Sequence, residues 1–230
     1  GDPSDLAYLT NAPGTAMAAT PFGDVFKQIL EYIHSAISEI RRASKPFVSA
    51  VDGMAAAGGL GIAMACDIVV ASERASFEWA YSKTALTGAE STTFMLPRLI
   101  GLRRSLELLL LNPRLDAWRA RDYGLVTAVL PVESFDEGVM AMAQQLAQGP
   151  ARAFAVAKEL MNQASGIDRL DEHLDRELDH LARAANGPGF AEGLRAFFEK
   201  RPPAFVEAGE REQRGPAMAG SRASGRVVEG

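Results

Sequence analysis

The sequence is poor in cysteine and histidine, which limits the chemistry open to it. Among its 230 residues there is one cysteine, Cys66, so no disulfide can form within the chain and a reducing compartment is favoured. The three histidines, His34, His173 and His180, are widely spaced and form no convincing ligand cluster. His173 and His180 are one heptad apart and are expected on a helix surface. We therefore predict no metal site.

Long apolar runs and excess positive charge are also missing. No run of about 18 apolar residues occurs, and the first residues lack the charged and apolar segments of a secretory leader. The formal net charge of −5 gives no general attraction to nucleic acid or to an anionic membrane. The sequence thus predicts a cytoplasmic protein without a nucleic-acid or membrane partner. Hydrophobic residues make up 47% of the chain, which is enough for a sizeable core.

A glycine-rich turn between two apolar segments is the most informative feature that is present. Residues 46–51 and 68–71 are rich in apolar and β-branched side chains, which predicts two strands. Between them, Gly58 and Gly59 open a predicted helix, whose first N–H groups have no partner within the helix and lie at the positive end of its dipole. Such N–H groups can stabilise an oxyanion, with Gly58 as the natural donor. The alternative is tight helix–strand packing without a ligand.

Helical periodicity accounts for much of the remaining chain. Apolar spacing predicts a helix over residues 24–42, with His34 on or beside its buried stripe. Asp116 and Gly124 are predicted to begin and end a short helix, which precedes a strand over residues 125–130. Beyond this strand the pattern predicts helices over residues 135–148, 151–164, 167–185 and 190–199.

Five segments of the sequence form a specific set. They are KPFVSAVDG at 45–53, GGLGIAMACDIV at 58–69, LPRLIG at 96–101, ARDYGLV at 120–126 and EGLRAFFEKR at 192–201. Together they resemble the crotonase superfamily, also called the enoyl-CoA hydratase/isomerase family. The resemblance implies an α/β fold, a crotonase-like spiral of ββα units followed by a C-terminal helical region, assembled as a homotrimer or hexamer. It also implies an acyl-CoA substrate that carries its own coenzyme A, with no separate cofactor.

The resemblance sets the expected domain organisation. Residues 1–130 correspond to the ββα core without the several strands that family members have before it, so an N-terminally incomplete sequence is expected. Residues 131–206 correspond to the helical trimerisation region. Residues 207–230 have few large apolar side chains and are predicted to be a disordered tail.

The resemblance also assigns binding residues. In this family two backbone N–H groups polarise the thioester carbonyl, and by position they are those of Gly58 and Gly1, which with Asp2 matches the end of the family's A-G-x-D segment. The terminal helix of the family reaches the coenzyme A nucleotide, which implies Phe197 as an apolar wall and Lys200 as a phosphate ligand. The alternative for Lys200 is a solvated helix end, where cations favour the dipole.

Both glutamates that hydratases of this family use are replaced. One of them lies three residues after the oxyanion glycine, where this sequence has Gly61, and the other lies four residues after the equivalent of Phe77, where it has Tyr81. Neither residue can serve as a carboxylate base, so two-glutamate hydration is not expected.

The loop over residues 86–98 resembles a different branch, that of enoyl-CoA isomerases and 4-chlorobenzoyl-CoA dehalogenase, which holds an acid deeper in the pocket. The nucleophilic aspartate of the dehalogenase aligns with Ala89, which argues against dehalogenation, and Glu90 follows one position later. His34 and Tyr81 align with the functional histidine and tryptophan of that enzyme.

Two functional hypotheses follow. In the first, Glu90 moves a proton between carbons of an acyl-CoA while Gly58 holds the enolate and Tyr81 donates a hydrogen bond to a substrate group. A separate interpretation gives His34 the role of activating a water molecule for hydrolysis. In the second, the chain is a catalytically silent acyl-CoA-binding homologue, or a hydratase with non-standard acid/base residues. Structural interpretations stay open beside these: Glu90 capping the helix that starts near Ser91 or facing solvent, Tyr81 packing with its hydroxyl at the surface, and His34 as a core residue.

Overall fold

The computed structural model describes residues 21–206, and the predictions about Gly1 and about the tail over 207–230 lie outside this range. Within it, no helix combines the length and the apolar character needed to cross a bilayer. The helices are α1 (Phe22–Arg42), α2 (Gly58–Ala65), α3 (Thr92–Leu111), α4 (Ala117–Tyr123), α5 (Phe135–Ala147), α6 (Ala151–Ala164), α7 (Leu170–Ala185) and α8 (Pro188–Phe198).

Short strands form two three-stranded sheets. The strands are β1 (Val48–Val51), β2 (Met54–Ala56), β3 (Ile68–Ser72), β4 (Ser76–Glu78), β5 (Leu115–Asp116) and β6 (Ala128–Leu130). One sheet has the order β1-β3-β6 and is parallel, and the other has the order β2-β4-β5, with β5 antiparallel. The pairs β1–β2 and β3–β4 therefore each contribute one strand to each sheet before the next helix, whereas α4 lies between β5 and β6. The path β1-β2-α2-β3-β4-α3 repeats a ββα unit, which confirms the predicted α/β fold class.

Local sequence signals explain both ends of α4. The Asp116 side chain accepts a hydrogen bond from the Arg119 N–H at 2.7 Å, and Gly124 ends α4 with φ +94°, as predicted. The following strand is shorter than predicted, because the Leu125 N–H bonds the Ala120 carbonyl of α4 at 2.9 Å instead of a neighbouring strand. Residues 92–98, which the resemblance to the isomerase branch places in a loop, form the first turns of α3, so the helix starts near Ser91 as the alternative had it.

Asp67 fastens two helices to the start of β3. Its carboxylate accepts hydrogen bonds from the Phe47 N–H at 2.8 Å, the Lys158 ammonium at 2.8 Å and the Arg41 guanidinium at 3.1 Å. The side chains of Arg41 on α1 and Lys158 on α6 are only 12% and 11% exposed. This single carboxylate thus pairs with two nearly buried cations from helices that are distant in sequence.

We expect Asp67→Asn to lower the free energy of unfolding by about 3 kcal/mol, because it leaves two shielded cations without a counter-charge. Chemical denaturation monitored by circular dichroism measures the change. Asp52→Asn is the matched control, since Asp52 also pairs with an arginine, Arg74, but at the exposed surface. Equal losses in the two variants would contradict the role given to Asp67.

Candidate active site

Glu90 lies where two helices approach each other, beside the start of α2 and two residues before α3. Its side chain is 7% exposed. A Cβ atom added to Gly58 would lie 2.9 Å from Glu90 Oε1, and one added to Gly61 would lie 2.0 Å from the Glu90 carbonyl oxygen. The absence of side chains at these two positions of α2 is therefore what lets Glu90 pack against the helix.

The backbone of the Glu90 turn is left-handed and is held from two sides. Glu90 and Ser91 have φ values of +50° and +65°, which non-glycine residues rarely adopt. The Glu90 N–H donates to His34 Nε2 on α1 at 3.1 Å. The Ser91 N–H donates to Glu177 Oε2 on α7 at 2.8 Å. Hydrogen bonds from separate helices thus offset the cost of the unusual conformation.

Tyr81 is buried, and its hydroxyl points into the site. The hydroxyl hydrogen-bonds Glu90 Oε2 and contacts the Ala89 carbonyl oxygen at 3.2 Å, while the ring packs edge-on against Trp79 with centroids 5.1 Å apart. The interpretation that placed this hydroxyl at the surface is wrong. The segment between β4 and α3 buries the Tyr81 ring and directs its hydroxyl to Glu90. The interpretations of Glu90 as a helix cap or a solvated residue are also wrong: its carboxyl faces Tyr81.

Burial sets the protonation of these groups. Loss of solvent raises the pKa of Glu90 to about 7, a change that the Tyr81 hydrogen bond opposes and the charge of Glu177 supports. Burial and then the charge of Glu90 raise the pKa of Tyr81 well above its usual range, so this hydroxyl stays protonated. Burial lowers the pKa of His34 to about 4, so the imidazole is neutral and its Nε2 can accept the Glu90 N–H. At neutral pH, Glu90 can both take up and release a proton.

Gly58 is the first residue of α2, after Ala57 in an unusual conformation with φ +48°. Within residues 21–206, the Gly58 N–H makes no hydrogen bond to a backbone acceptor outside its helix. This N–H lies at the positive end of α2 and close to the Glu90 carboxyl, so the oxyanion donor and the acid predicted from the sequence share one location.

The residues predicted to bind coenzyme A lie at the end of α8. The Phe197 ring is 44% exposed, and the Lys200 ammonium is 4.7 Å from its centroid. Arg201 is engaged by Glu192 and Glu199, each at 2.6 Å. Helix α8 packs closely on the turn that contains Tyr81, since a Cβ atom added to Gly193 would lie 2.6 Å from the Thr84 Cα.

Sequence reasoning missed the contribution of α7. Glu177 is buried beside Ser91 and Thr93, and His173 bonds the Thr93 hydroxyl at 2.8 Å, so His173 is not the free surface residue that was expected. A signal was present: Glu177 occupies a position in the buried stripe of α7, between Leu174 and Leu181. A carboxylate in such a stripe needs a polar partner, and this one finds it at the start of α3.

Comparisons with known proteins identify the family of this chain. Residues 26–208 match a family model described as enoyl-CoA hydratase/isomerase. The chain is 34% identical over 169 residues to 4-chlorobenzoyl coenzyme A dehalogenase-1 of Arthrobacter sp, a match that covers 74% of this chain and 61% of the dehalogenase. It is 31% identical over 186 residues to 1,2-epoxyphenylacetyl-CoA isomerase of Escherichia coli, covering 81% and 71% of the two chains.

A solved structure extends the similarity to three dimensions. A crystal structure of an enoyl-CoA hydratase from Mycobacterium avium subsp. paratuberculosis superposes with a TM-score of 0.75 at 37% identity, over 78% of this chain and 73% of the hydratase. The family model spans most of the sequence, and the described residues have the corresponding fold. The chain therefore belongs to the enoyl-CoA hydratase/isomerase family, the crotonase superfamily.

Proposed function

We propose that this protein is an isomerase that moves a proton between carbons of an unsaturated acyl-CoA thioester, with Glu90 as its one acid/base carboxyl. The observation that carries the proposal is the position of that carboxyl, buried and against Gly58 at the positive end of α2. The similarity to a 1,2-epoxyphenylacetyl-CoA isomerase supports an isomerase that acts on a coenzyme A thioester.

The proposed reaction needs one proton carrier. The Glu90 carboxylate removes a proton from the α-carbon of a 3-enoyl thioester, and the C–H electron pair passes into a dienolate whose oxygen accepts the Gly58 N–H. The protonated Glu90 then returns the proton to the γ-carbon, which leaves the double bond between the α- and β-carbons. A pKa of about 7 suits both steps, since neither protonation state is strongly favoured at neutral pH.

Two other reactions of the family are less well supported by the residues at the site. Hydration requires a second carboxylate, but Gly61 and Tyr81 occupy the two glutamate positions, and the Glu90 carbonyl fills the space beside Gly61. Dehalogenation requires a nucleophilic aspartate, and the residue at that position is Ala89. Glu90 is therefore left as the carboxyl next to Gly58.

Tyr81 and His34 are proposed to position Glu90. The Tyr81 hydroxyl fixes one carboxyl oxygen, and His34 accepts the Glu90 N–H through Nε2. The lone pair of His34 that water activation would use is engaged in this bond, so we give His34 no role in activating water.

For substrate binding, we propose that Phe197 and Lys200 contact coenzyme A. We also propose that the Gly1 N–H is the second oxyanion donor. No cofactor is proposed besides the coenzyme A of the substrate. A homotrimer or hexamer is proposed as the assembly, supported by large apolar side chains left exposed on α3 and α6, among them Leu102, Leu110 and Met161.

The reaction is tested by incubating the protein with 2-enoyl- and 3-enoyl-CoA thioesters in heavy water and recording the products by mass spectrometry. We expect interconversion of the two thioesters with deuterium uptake. Glu90→Gln should abolish both while coenzyme A binding remains, because an amide cannot carry the proton. Glu73→Gln, at an exposed position, is the matched control.

Other outcomes of this experiment would point elsewhere. A product heavier by one water molecule would identify a hydratase with non-standard acid/base groups. Binding of the thioesters with no isotope exchange would identify a silent homologue. Full exchange in Glu90→Gln would remove Glu90 from the mechanism.

The raised pKa of Glu90 predicts a pH-dependent stability. The folded value of about 7 exceeds the ordinary 4.5, so the contribution of Glu90 to stability is complete below pH 4.5 and is lost as the pH rises towards 7. Glu90→Gln, which has no charge to bury, should be more stable than the natural protein at pH 8 by roughly 3 kcal/mol, and nearly equal to it at pH 4.5. Denaturation at both pH values measures the difference, and a difference independent of pH would contradict an ionisable buried Glu90.

The packing of Glu90 on α2 predicts that alanine is tolerated differently at two glycines of that helix. Gly61→Ala should destabilise the protein by at least about 2 kcal/mol, because the new methyl group would overlap the Glu90 carbonyl. Gly59→Ala is the matched control, since nothing lies within 4 Å of its added Cβ, and alanine favours a helix over glycine by up to about 1 kcal/mol. Thermal unfolding compares the two, and equal effects would place Glu90 elsewhere.

A further inference from the structure

Glu177 on α7 is joined to the turn that carries Glu90 by an unusually complete set of hydrogen bonds. Its side chain is only 3% exposed. Oε2 accepts the Ser91 N–H at 2.8 Å, and Oε1 accepts the Thr93 N–H at 2.9 Å and the Thr93 hydroxyl. His173, one turn earlier on α7, bonds the Thr93 hydroxyl oxygen at 2.8 Å.

These hydrogen bonds supply acceptors for N–H groups at the start of α3. The first N–H groups of a helix have no partner within it, and neither Ser91, the N-cap, nor Glu90 bonds them through its side chain. A carboxylate at this end is also favoured by the helix dipole. Glu177 therefore replaces a local cap with one supplied from 86 residues away.

We propose that Glu177 is a positioning residue for Glu90: by accepting the Ser91 and Thr93 N–H groups it holds the left-handed turn that directs the Glu90 carboxyl to Gly58. This inference rests on the proposed function of Glu90. The three atoms nearest to a Cβ atom added at Gly58 all belong to Glu90. Any effect of Glu177 on the reaction therefore passes through the position and the charge of Glu90.

The charge states of the groups around Glu90 show that Glu177 influences its pKa. Glu90 faces neutral His34 from α1, neutral Tyr81 from the turn after β4, and only glycines from α2. Glu177 from α7 is the acidic group among these neighbours, and its charge contributes to the raised pKa of Glu90. Removing that charge should therefore make Glu90 ionise at lower pH.

The first test compares the natural protein with Glu177→Gln and needs no substrate. The ionisation of Glu90 is followed by carbon-13 NMR of labelled glutamate carboxyls, and its signal is identified by its loss in Glu90→Gln. We expect half-ionisation near pH 7 in the natural protein and roughly one pH unit lower in Glu177→Gln. Amide exchange at Ser91 and Thr93 should accelerate by roughly tenfold or more.

Asp179→Asn is the matched control, since it removes an exposed carboxylate from the same helix, where Asp179 pairs with Lys27. It should leave the Glu90 ionisation and both amides unchanged. Glu177→Asp is the second variant, used also if Glu177→Gln does not fold. It keeps the charge but shortens the side chain, so amide exchange should accelerate while Glu90 still ionises near pH 7.

The second test is kinetic. With an active natural enzyme, both Glu177 variants should lower kcat by roughly tenfold and change KM little, because the substrate contacts are intact while the base is displaced. Unchanged Glu90 ionisation in Glu177→Gln with unchanged amide exchange would overturn the inference. Absence of turnover in the natural protein would instead count against the proposed function, and the NMR result on Glu177 would stand separately.

Discussion

The arrangement of the site depends on a close approach between the turn before α3 and the start of α2. The Glu90 carbonyl oxygen occupies the space in which a side chain at residue 61 would lie, and the carboxyl occupies the space beside residue 58. Hydratases of this family carry a glutamate at the first of these positions, so the two arrangements exclude each other on steric grounds. An acid supplied by the α3 turn requires that no side chain stand at residue 61.

This approach has an electrostatic consequence. The packing that brings Glu90 to Gly58 also removes it from water, which raises its pKa and keeps Tyr81 and His34 neutral. Burying a carboxyl is costly unless hydrogen bonds compensate it, and here the Tyr81 hydroxyl supplies that bond. His34 from α1 and Glu177 from α7 instead hold the backbone N–H groups of Glu90 and Ser91. The same contacts that hold the turn therefore tune the group that is proposed to react.

The secondary structure was largely predictable because its signals are local. The spacing of apolar residues located α1 and α5 to α8 to within a few residues, and Asp116 and Gly124 marked the ends of α4. A helix starting near Ser91 was considered, but the group that caps α3 was not predicted, for a physical reason. Its cap is Glu177, which no local pattern before Thr92 reveals.

The candidate site was predicted in part. Glu90, Gly58, Tyr81 and His34 were singled out from a motif resemblance, and the structure brings all four together. The orientation of Tyr81 and the burial of Glu90 were not predicted, because a sequence pattern gives no measure of solvent access for residues in an irregular segment. Glu177 was visible only as a charged residue in an apolar stripe.

The sequence by itself determined most of the helical segments, three of the six described strands (β1, β3 and β6), the glycines that leave space at α2, and the family. It could do so because each of these depends on residues close together in the chain. Only the tertiary structure decided which carboxyl reaches Gly58, what pKa it has and which distant residue holds it. Those properties depend on desolvation and on contacts between helices far apart in sequence, which exist only once the chain has folded.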